Sequence, residues 1–256
     1  MRDLNINTIR SIDKAFDILN SFTPDTPAQT IDEIMKHTKL PKSTAYRLLY
    51  TLEGNGVIRY DPQTLKYKPG FKLFEYSQVL ASSLDIVKES EQILTELQNQ
   101  TGKTVLMSLL EGDTMVYVFK RESQVGLKYA SSAGERRPLT YGIFGRVLLA
   151  FLPDDRLKAI LSKPLPKSTT YTPIDKTVLI EKLMNIRHEF VAVEIDETNI
   201  GVTGIGAPIF NIEGSIIAAI GVLGPTAHFS DNELNETKQL VKDSAQRISQ
   251  KLGYSP

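Results

Sequence analysis

The densest chemistry in the chain lies in Leu40–Leu52, Leu-Pro-Lys-Ser-Thr-Ala-Tyr-Arg-Leu-Leu-Tyr-Thr-Leu. Lys42, Ser43, Thr44, Tyr46, Arg47 and Tyr50 bring two cations and four hydroxyls together within nine positions. Ammonium and guanidinium groups bind phosphate, arginine also reads the edge of guanine, and hydroxyls serve either purpose. A helix would position these groups. Ala45, Leu48, Leu49 and Leu52 recur at i, i+3, i+4 and i+7, one apolar stripe that turns the polar side chains outward. Pro41 suits the first helical position, where a missing N–H costs nothing. The free N–H groups at that end also attract phosphate. A helix with this outward face fits the major groove of DNA. The plainer alternative is a solvated surface helix with two cations, and the flanking segments bear on the choice.

Composition sets the frame. The chain has 256 residues, 41% apolar and 23% charged, with net charge zero. That length fits one large domain or two ordinary ones with a sizeable core. Cysteine is absent, which excludes disulfides and thiolate metal sites and fits a reducing compartment. The N-terminus has no apolar signal core. No run approaches the ~18 apolar residues of a membrane span, so a cytoplasmic protein is expected. Charge is uneven, however. From Lys36 to Lys72 there are eight cations against two acids, an excess of six. A basic segment in a neutral chain marks a nucleic-acid-binding face.

The segments around the polar helix form a pattern. Ile9–Phe22 reads as a first helix from Ile12, Ala15, Phe16, Leu19 and Phe22. Thr30 followed by Glu33 has the spacing of a capping box and opens a short second helix with Ile31, Ile34 and Met35 inward, and Thr30 is counted with the residues expected to contact DNA. The polar helix follows four residues later, so a helix-turn-helix occupies about residues 30–49. Gly54-Asn-Gly56 ends the third helix. Val57–Tyr60 and Leu65–Lys68 read as two strands joined by Asp61-Pro-Gln-Thr64, a wing at about 57–68. Arg59, Lys66 and Lys68 would reach flanking phosphates from it, although a lone strand cation such as Lys68 is as readily a solvated charge.

These pieces together resemble the IclR family of bacterial transcription regulators. The matching stretches are Ser11–Leu19, Leu40–Leu49, Thr51–Gly56 and Tyr67-Lys-Pro-Gly70, in order and at the right spacing. The Pro-Lys-Ser-Thr run followed by Arg-Leu-Leu is the most specific. The resemblance continues through Gly102-Lys-Thr-Val-Leu, Leu148–Pro153, Gly201–Ile209 and Gly221–Pro225, and so covers about Thr8 to Gly253.

The rest of the chain reads as helix, then mixed structure. Phe71–Thr101 is helical, with a break suggested at Ser82-Ser83 and a new N-cap at Asp85. Beyond Gly102, strands are expected at Thr104–Leu110, Thr114–Phe119, Leu127–Ser131, Val191–Val193, Gly206–Phe210 and Ile216–Leu223. Helices are expected at Arg146–Leu152, Asp154–Ser162, Asp175–Glu189 and Asp231–Leu252, the last capped by Ser230. The fold class is therefore α+β with a largely antiparallel sheet. The resemblance makes this second domain an effector-binding sensor related to GAF and PAS folds. The expected organisation is a winged helix-turn-helix domain at 1–70, a helical linker at 71–101 and the sensor domain at 102–256.

Catalytic chemistry is hard to find. There is no Gly-x-Ser-x-Gly elbow, no phosphate-binding glycine loop and no cysteine nucleophile. Gly201, Gly204 and Gly206 precede an expected strand rather than a helix, which disqualifies them as a dinucleotide site. His188 and His228 are far apart in sequence. No catalytic residue, metal or cofactor is expected. Asp196 and Glu197 read as solvated loop acids. Two function classes remain: a ligand-responsive DNA-binding regulator, or an enzyme or binding protein whose winged helix mediates protein contacts. The basic segment favours the first.

The resemblance adds further expectations. It implies a palindromic operator, a dimer through the DNA-binding and linker region or a tetramer through the sensor domains, and repression more than activation. It places the effector among Ile143, Phe144, Glu194, Gly204, Gly221 and Leu223. Relatives commonly have small residues near the first two positions and often a cysteine at Gly204, and some have hydroxyls at Gly221 and Leu223. This chain departs at each, and Glu194 would repel an anion unless a cation or proton offset it. A larger, less charged ligand with apolar surface is therefore expected in place of pyruvate or glyoxylate, unless Phe144 fills the cavity.

Overall fold

A computed structural model of the chain describes residues 8–83, 85–123 and 131–255. The chain divides into two compact units, one ending at Leu84 and the other beginning at Asp85. The expected strand at Leu127–Ser131 lies, but for Ser131, outside the described residues.

The first unit begins with α1 (Arg10–Asn20), α2 (Ile31–Thr38) and α3 (Lys42–Gly54). A two-stranded antiparallel hairpin, β1 (Ile58–Asp61) and β2 (Lys66–Pro69), follows, and then α4 (Phe71–Ser83). The start of α2 follows from its sequence. Thr30 accepts from the Glu33 amide, and the Glu33 carboxylate accepts from the Thr30 amide at 2.7 Å. Pro41 lies one position earlier than expected: it is the N-cap of α3, extended at φ −60° and ψ 146°, and its carbonyl accepts from Ala45. The core comprises Ile18, Ile34, Leu40, Ala45, Leu49, Ile58 and Tyr67. Leu48 and Leu52 only pack against its edge. On α1 the buried residue is Ile18, while Ile12 and Phe16 are exposed. Gln29 and Tyr67 exchange two backbone hydrogen bonds, which tie the loop before α2 to the wing.

In the second unit α5 (Asp85–Thr101) leads into a six-stranded, wholly antiparallel sheet. Its strands are β3 (Thr104–Glu111), β4 (Thr114–Arg121), β5 (Arg136–Pro138), β6 (Ala192–Ile195), β7 (Val202–Phe210) and β8 (Ile216–Pro225). Their spatial order is β5-β4-β3-β8-β7-β6. Between β5 and β6 run α6 (Gly142–Ala150), α7 (Asp154–Leu161) and α8 (Lys176–Glu189), and the described chain closes with α9 (Asp231–Lys251).

Helices cover both faces of the sheet. Alternation along β3 sends Val105 and Met107 toward Ile93, Leu94 and Leu97 of α5 and Val241, Ala245 and Ile248 of α9. Leu106 joins Phe144, Val147 and Leu148 of α6 on the other face. Double coverage explains why β7 is buried throughout and β8 nearly so, and why both read as continuous apolar runs. The stretch read as a linker divides at Leu84, and its second half, α5, is a core helix of this unit. Gly204 and Gly206 lie within β7 and not before it. Helix α6 starts four residues before the expected helix and is buried at all nine positions.

Candidate DNA-reading face and sensor cavity

The buried side of α3 fixes what its other side can present. With Ala45 and Leu49 inward, Ser43, Arg47 and Tyr50 point outward at i, i+4 and i+7. All three are exposed, Tyr50 at 80%. Lys42 and Tyr46 flank this row, with the ammonium 6.0 Å from the ring centroid. Thr44, on the opposite flank, is half-buried. The Thr30 hydroxyl is engaged inside its turn, where it donates to the Glu33 carboxylate at 3.0 Å. The Thr30 amide and hydroxyl together hold that carboxyl below its ordinary range.

The wing cations differ from one another. Lys68 is paired with Asp61 at 2.9 Å, and this bond depresses the Asp61 carboxyl far below the usual range. Arg59 stacks 4.9 Å over the ring of Phe71. Lys66 is half-buried. Beside α3, a groove is lined by Ile12, Phe16, Leu19, Leu48, Leu73 and Tyr76, with Arg47 at its border.

In the second unit a cavity of about 340 Å³ lies between the start of α6 and strands β4, β5, β6 and β8. Ile143, Phe144, Glu194 and Leu223 line it, as do Tyr117, Arg137, Tyr141, Thr198 and Ile200. Phe144 packs edge-on against Tyr117, centroids 5.6 Å apart, and leaves the cavity open. Burial first, and then the neighbouring Tyr141, Glu135 and Glu194, push the Tyr117 phenol up, so it stays a neutral donor.

Two expected wall residues play other parts. A Cβ on Gly221 would fall 2.1 Å from the Ile205 carbonyl oxygen, so this glycine permits the close approach of β7 and β8. A Cβ on Gly204 would meet Leu223, Ile143 and Glu194 side chains at 3.0–3.2 Å. The bare backbone there allows those three to converge.

Sequence reasoning missed the ionic floor of this site. Arg146, 4% exposed, reaches Glu194 at 3.5 Å and Glu197 more closely. Lys182 of α8 holds the other Glu197 oxygen at 2.5 Å. Glu197 is thus a buried, doubly paired carboxylate and not a solvated loop acid. Asp196 is likewise engaged, accepting from the Gly201 amide at 2.8 Å and the Thr226 hydroxyl at 3.1 Å. Burial raises the Glu194 carboxyl, opposed by Arg146 and by the Thr198 hydroxyl at 3.0 Å. The repulsion expected from Glu194 is therefore offset by a cation whose signal in the sequence was only an arginine inside an apolar helical run.

Both units match known proteins. Residues 11–62 match the IclR helix-turn-helix domain, and residues 78–250 match the C-terminal domain of bacterial transcriptional regulator IclR. The chain belongs to the IclR family. It is 32% identical over 249 residues to the HTH-type transcriptional regulator XynR of Escherichia coli K12, spanning 96% of this chain and 98% of that protein. The crystal structure of the Thermotoga maritima IclR aligns with a TM-score of 0.80 at 29% identity, over 96% of this chain and all of the other. The fold is shared with an IclR homolog from Microbacterium hydrocarbonoxydans solved with 4-hydroxybenzoate, with a TM-score of 0.86 at 22% identity over 96% of this chain and 100% of the other. This IclR-family chain is a DNA-binding transcriptional regulator and not an enzyme. No helix among its described residues is long and apolar enough to cross a membrane.

Proposed function

We propose that this regulator represses transcription in the cytoplasm by binding a palindromic operator as a dimer or tetramer, with a small molecule in the sensor cavity modulating that binding. The observation that carries the reading is the exposed row Ser43, Arg47 and Tyr50 on a helix whose other side is locked into a core. Lys42, Thr44 and Tyr46 extend this face, and Arg59, Lys66 and Lys68 supply flanking charge, with Lys68 and Arg59 partly committed to Asp61 and Phe71. Thr30 contributes by fixing α2. One such unit buries too little surface for high specificity, so two half-sites are needed. Ile12, Phe16 and Leu73, exposed along the groove of the same unit, are the apolar surface that a second copy would cover.

The relative's 4-hydroxybenzoate complex supports a ligand with an apolar body for the sensor domain. Here Tyr117, Phe144 and Leu223 offer the matching wall, and a two- or three-carbon keto acid would leave most of the cavity unfilled. Footprinting on operators selected from genomic DNA tests the whole reading. Protection of two half-sites is expected, and Arg47→Ala should cost about 1–3 kcal/mol and relax one base position. Single half-site protection at saturation, or unaltered affinity in Arg47→Ala, would overturn it.

A further inference from the structure

Four non-glycine residues among those described have a left-handed backbone: Lys39, Leu65, Phe190 and Asp196. Lys39 and Phe190 close α2 and α8, where that conformation is common, and aspartate tolerates it. Leu65 has neither reason. It stands at φ 56° in the turn between β1 and β2, where glycine or asparagine would sit without strain. Its side chain is 61% exposed and belongs neither to the core of its unit nor to the residues packed against that core. A strained position kept for a side chain that the fold does not use points to a contact outside the fold.

The rest of the wing tip is rigid and its charge is balanced. One Asp61 oxygen accepts from the Gln63 and Thr64 amides at 3.0 and 3.3 Å, and the other accepts from Lys68 at 2.9 Å. The wing's one acid therefore does not repel phosphate. Pro62 fixes a further backbone angle. At the other end of β1 the Tyr60 amide donates to Glu53 of α3 at 3.3 Å, which ties the hairpin to the helix that carries Arg47. Around Leu65, Pro62, Gln63 and Thr64 are exposed. One leucine among polar groups is too little apolar surface for a protein-docking patch. It suits the minor groove, where proteins press leucine and similar side chains against base steps. The cationic excess of the surrounding segment favours DNA in the same way.

We propose that Leu65 is an apolar wedge that the wing sets into the minor groove beside each half-site. This rests on the reading of α3 as the helix in the adjacent major groove. The wedge prefers A·T steps, because only guanine projects an amino group into the minor groove.

Duplexes that the full chain selects from a randomised pool supply the probe, and fluorescence anisotropy measures binding. Leu65→Gly and Leu65→Asn relieve the strain and remove the wedge. Both should melt no lower than the unmodified chain, yet bind the selected duplex at least roughly tenfold more weakly. Leu65→Met, apolar and of similar reach, should stay within about threefold of the unmodified chain. The dependence of affinity on salt should not change, because no phosphate contact is lost. Diaminopurine in place of adenine beside the half-site adds an amino group to the minor groove and leaves the major groove as it was. It should weaken the unmodified chain and leave Leu65→Gly unaffected. Leu65→Gly binding as tightly as the unmodified chain, with Arg47→Ala still impaired, would overturn the wedge and leave the reading of α3 intact. So would an equal diaminopurine penalty in both proteins, or a shallower salt dependence in Leu65→Gly. Clearly lower melting temperatures in both strain-relieving variants would show that Leu65 serves the fold, and would overturn the wedge as well. Selection that enriches no duplex would overturn the wedge and the DNA reading together.

Discussion

Arg146→Met should weaken the sensor unit, and the loss should grow with pH. The guanidinium is 4% exposed and lies between two carboxylates, Glu194 and Glu197. Removing one partner of a buried ion pair typically costs about 3–5 kcal/mol, because the remaining charge stays desolvated. Glu197 keeps Lys182 at 2.5 Å, so most of the loss falls on Glu194 and the lower half of that range is expected. Glu194 is already raised by burial, with Arg146 the chief opposing influence, so the substitution raises it further. A carboxyl with a raised folded value stabilises the fold fully below its unfolded value, and that contribution disappears as pH rises through the folded value. The variant's deficit should accordingly be smaller at roughly pH 5 than at roughly pH 8 in urea denaturation. Adding Glu194→Gln should recover part of the stability at the higher pH. A deficit under about 1 kcal/mol, the scale of a surface pair, or one equal at both pH values, would refute a buried ionic floor.

Two other substitutions test the packing. Leu49→Ala, at a fully buried position, should destabilise the DNA-binding unit by about 2–5 kcal/mol, and Leu48→Ala, at the edge of the core, by clearly less; equal thermal shifts would misplace the face of α3. Gly221→Ala should cost about 3 kcal/mol or more because its Cβ meets backbone, whereas Gly204→Ala meets movable side chains; matching soluble yields and melting temperatures for the two would contradict the strand spacing.

What was legible in the sequence was local. The Thr30–Glu33 box and the hairpin turn depend on neighbours within a few residues and stand where expected, and of the expected stripe Ala45 and Leu49 are buried while Leu48 and Leu52 reach only the edge of the core. The helices at Asp154, Lys176 and Asp231 likewise start within a residue of their expected positions. The cavity was legible only in part, through Ile143, Phe144, Glu194 and Leu223. Arg146 finds its carboxylates 48 and 51 positions away, a pairing that no periodicity reveals. Arg137 lies in a three-residue edge strand too short to alternate. The glycines of β7 read as a loop because glycine is rare in strands, but here each makes room for a neighbour.

The complete burial of α6 also bears on time. Its nine residues have no solvent-facing side, and its C-terminal carbonyls at Ala150 and Phe151 lead directly to Leu152, where Arg187 of α8 donates to both the Ala150 and Leu152 oxygens. These bonds hold the C-terminal end against fraying, and with every residue buried the amide protons along the helix should exchange only when the surrounding unit opens. Occupation of the cavity at its first turn should then slow exchange across the whole helix, not just at Ile143 and Phe144, because those amides share one opening event.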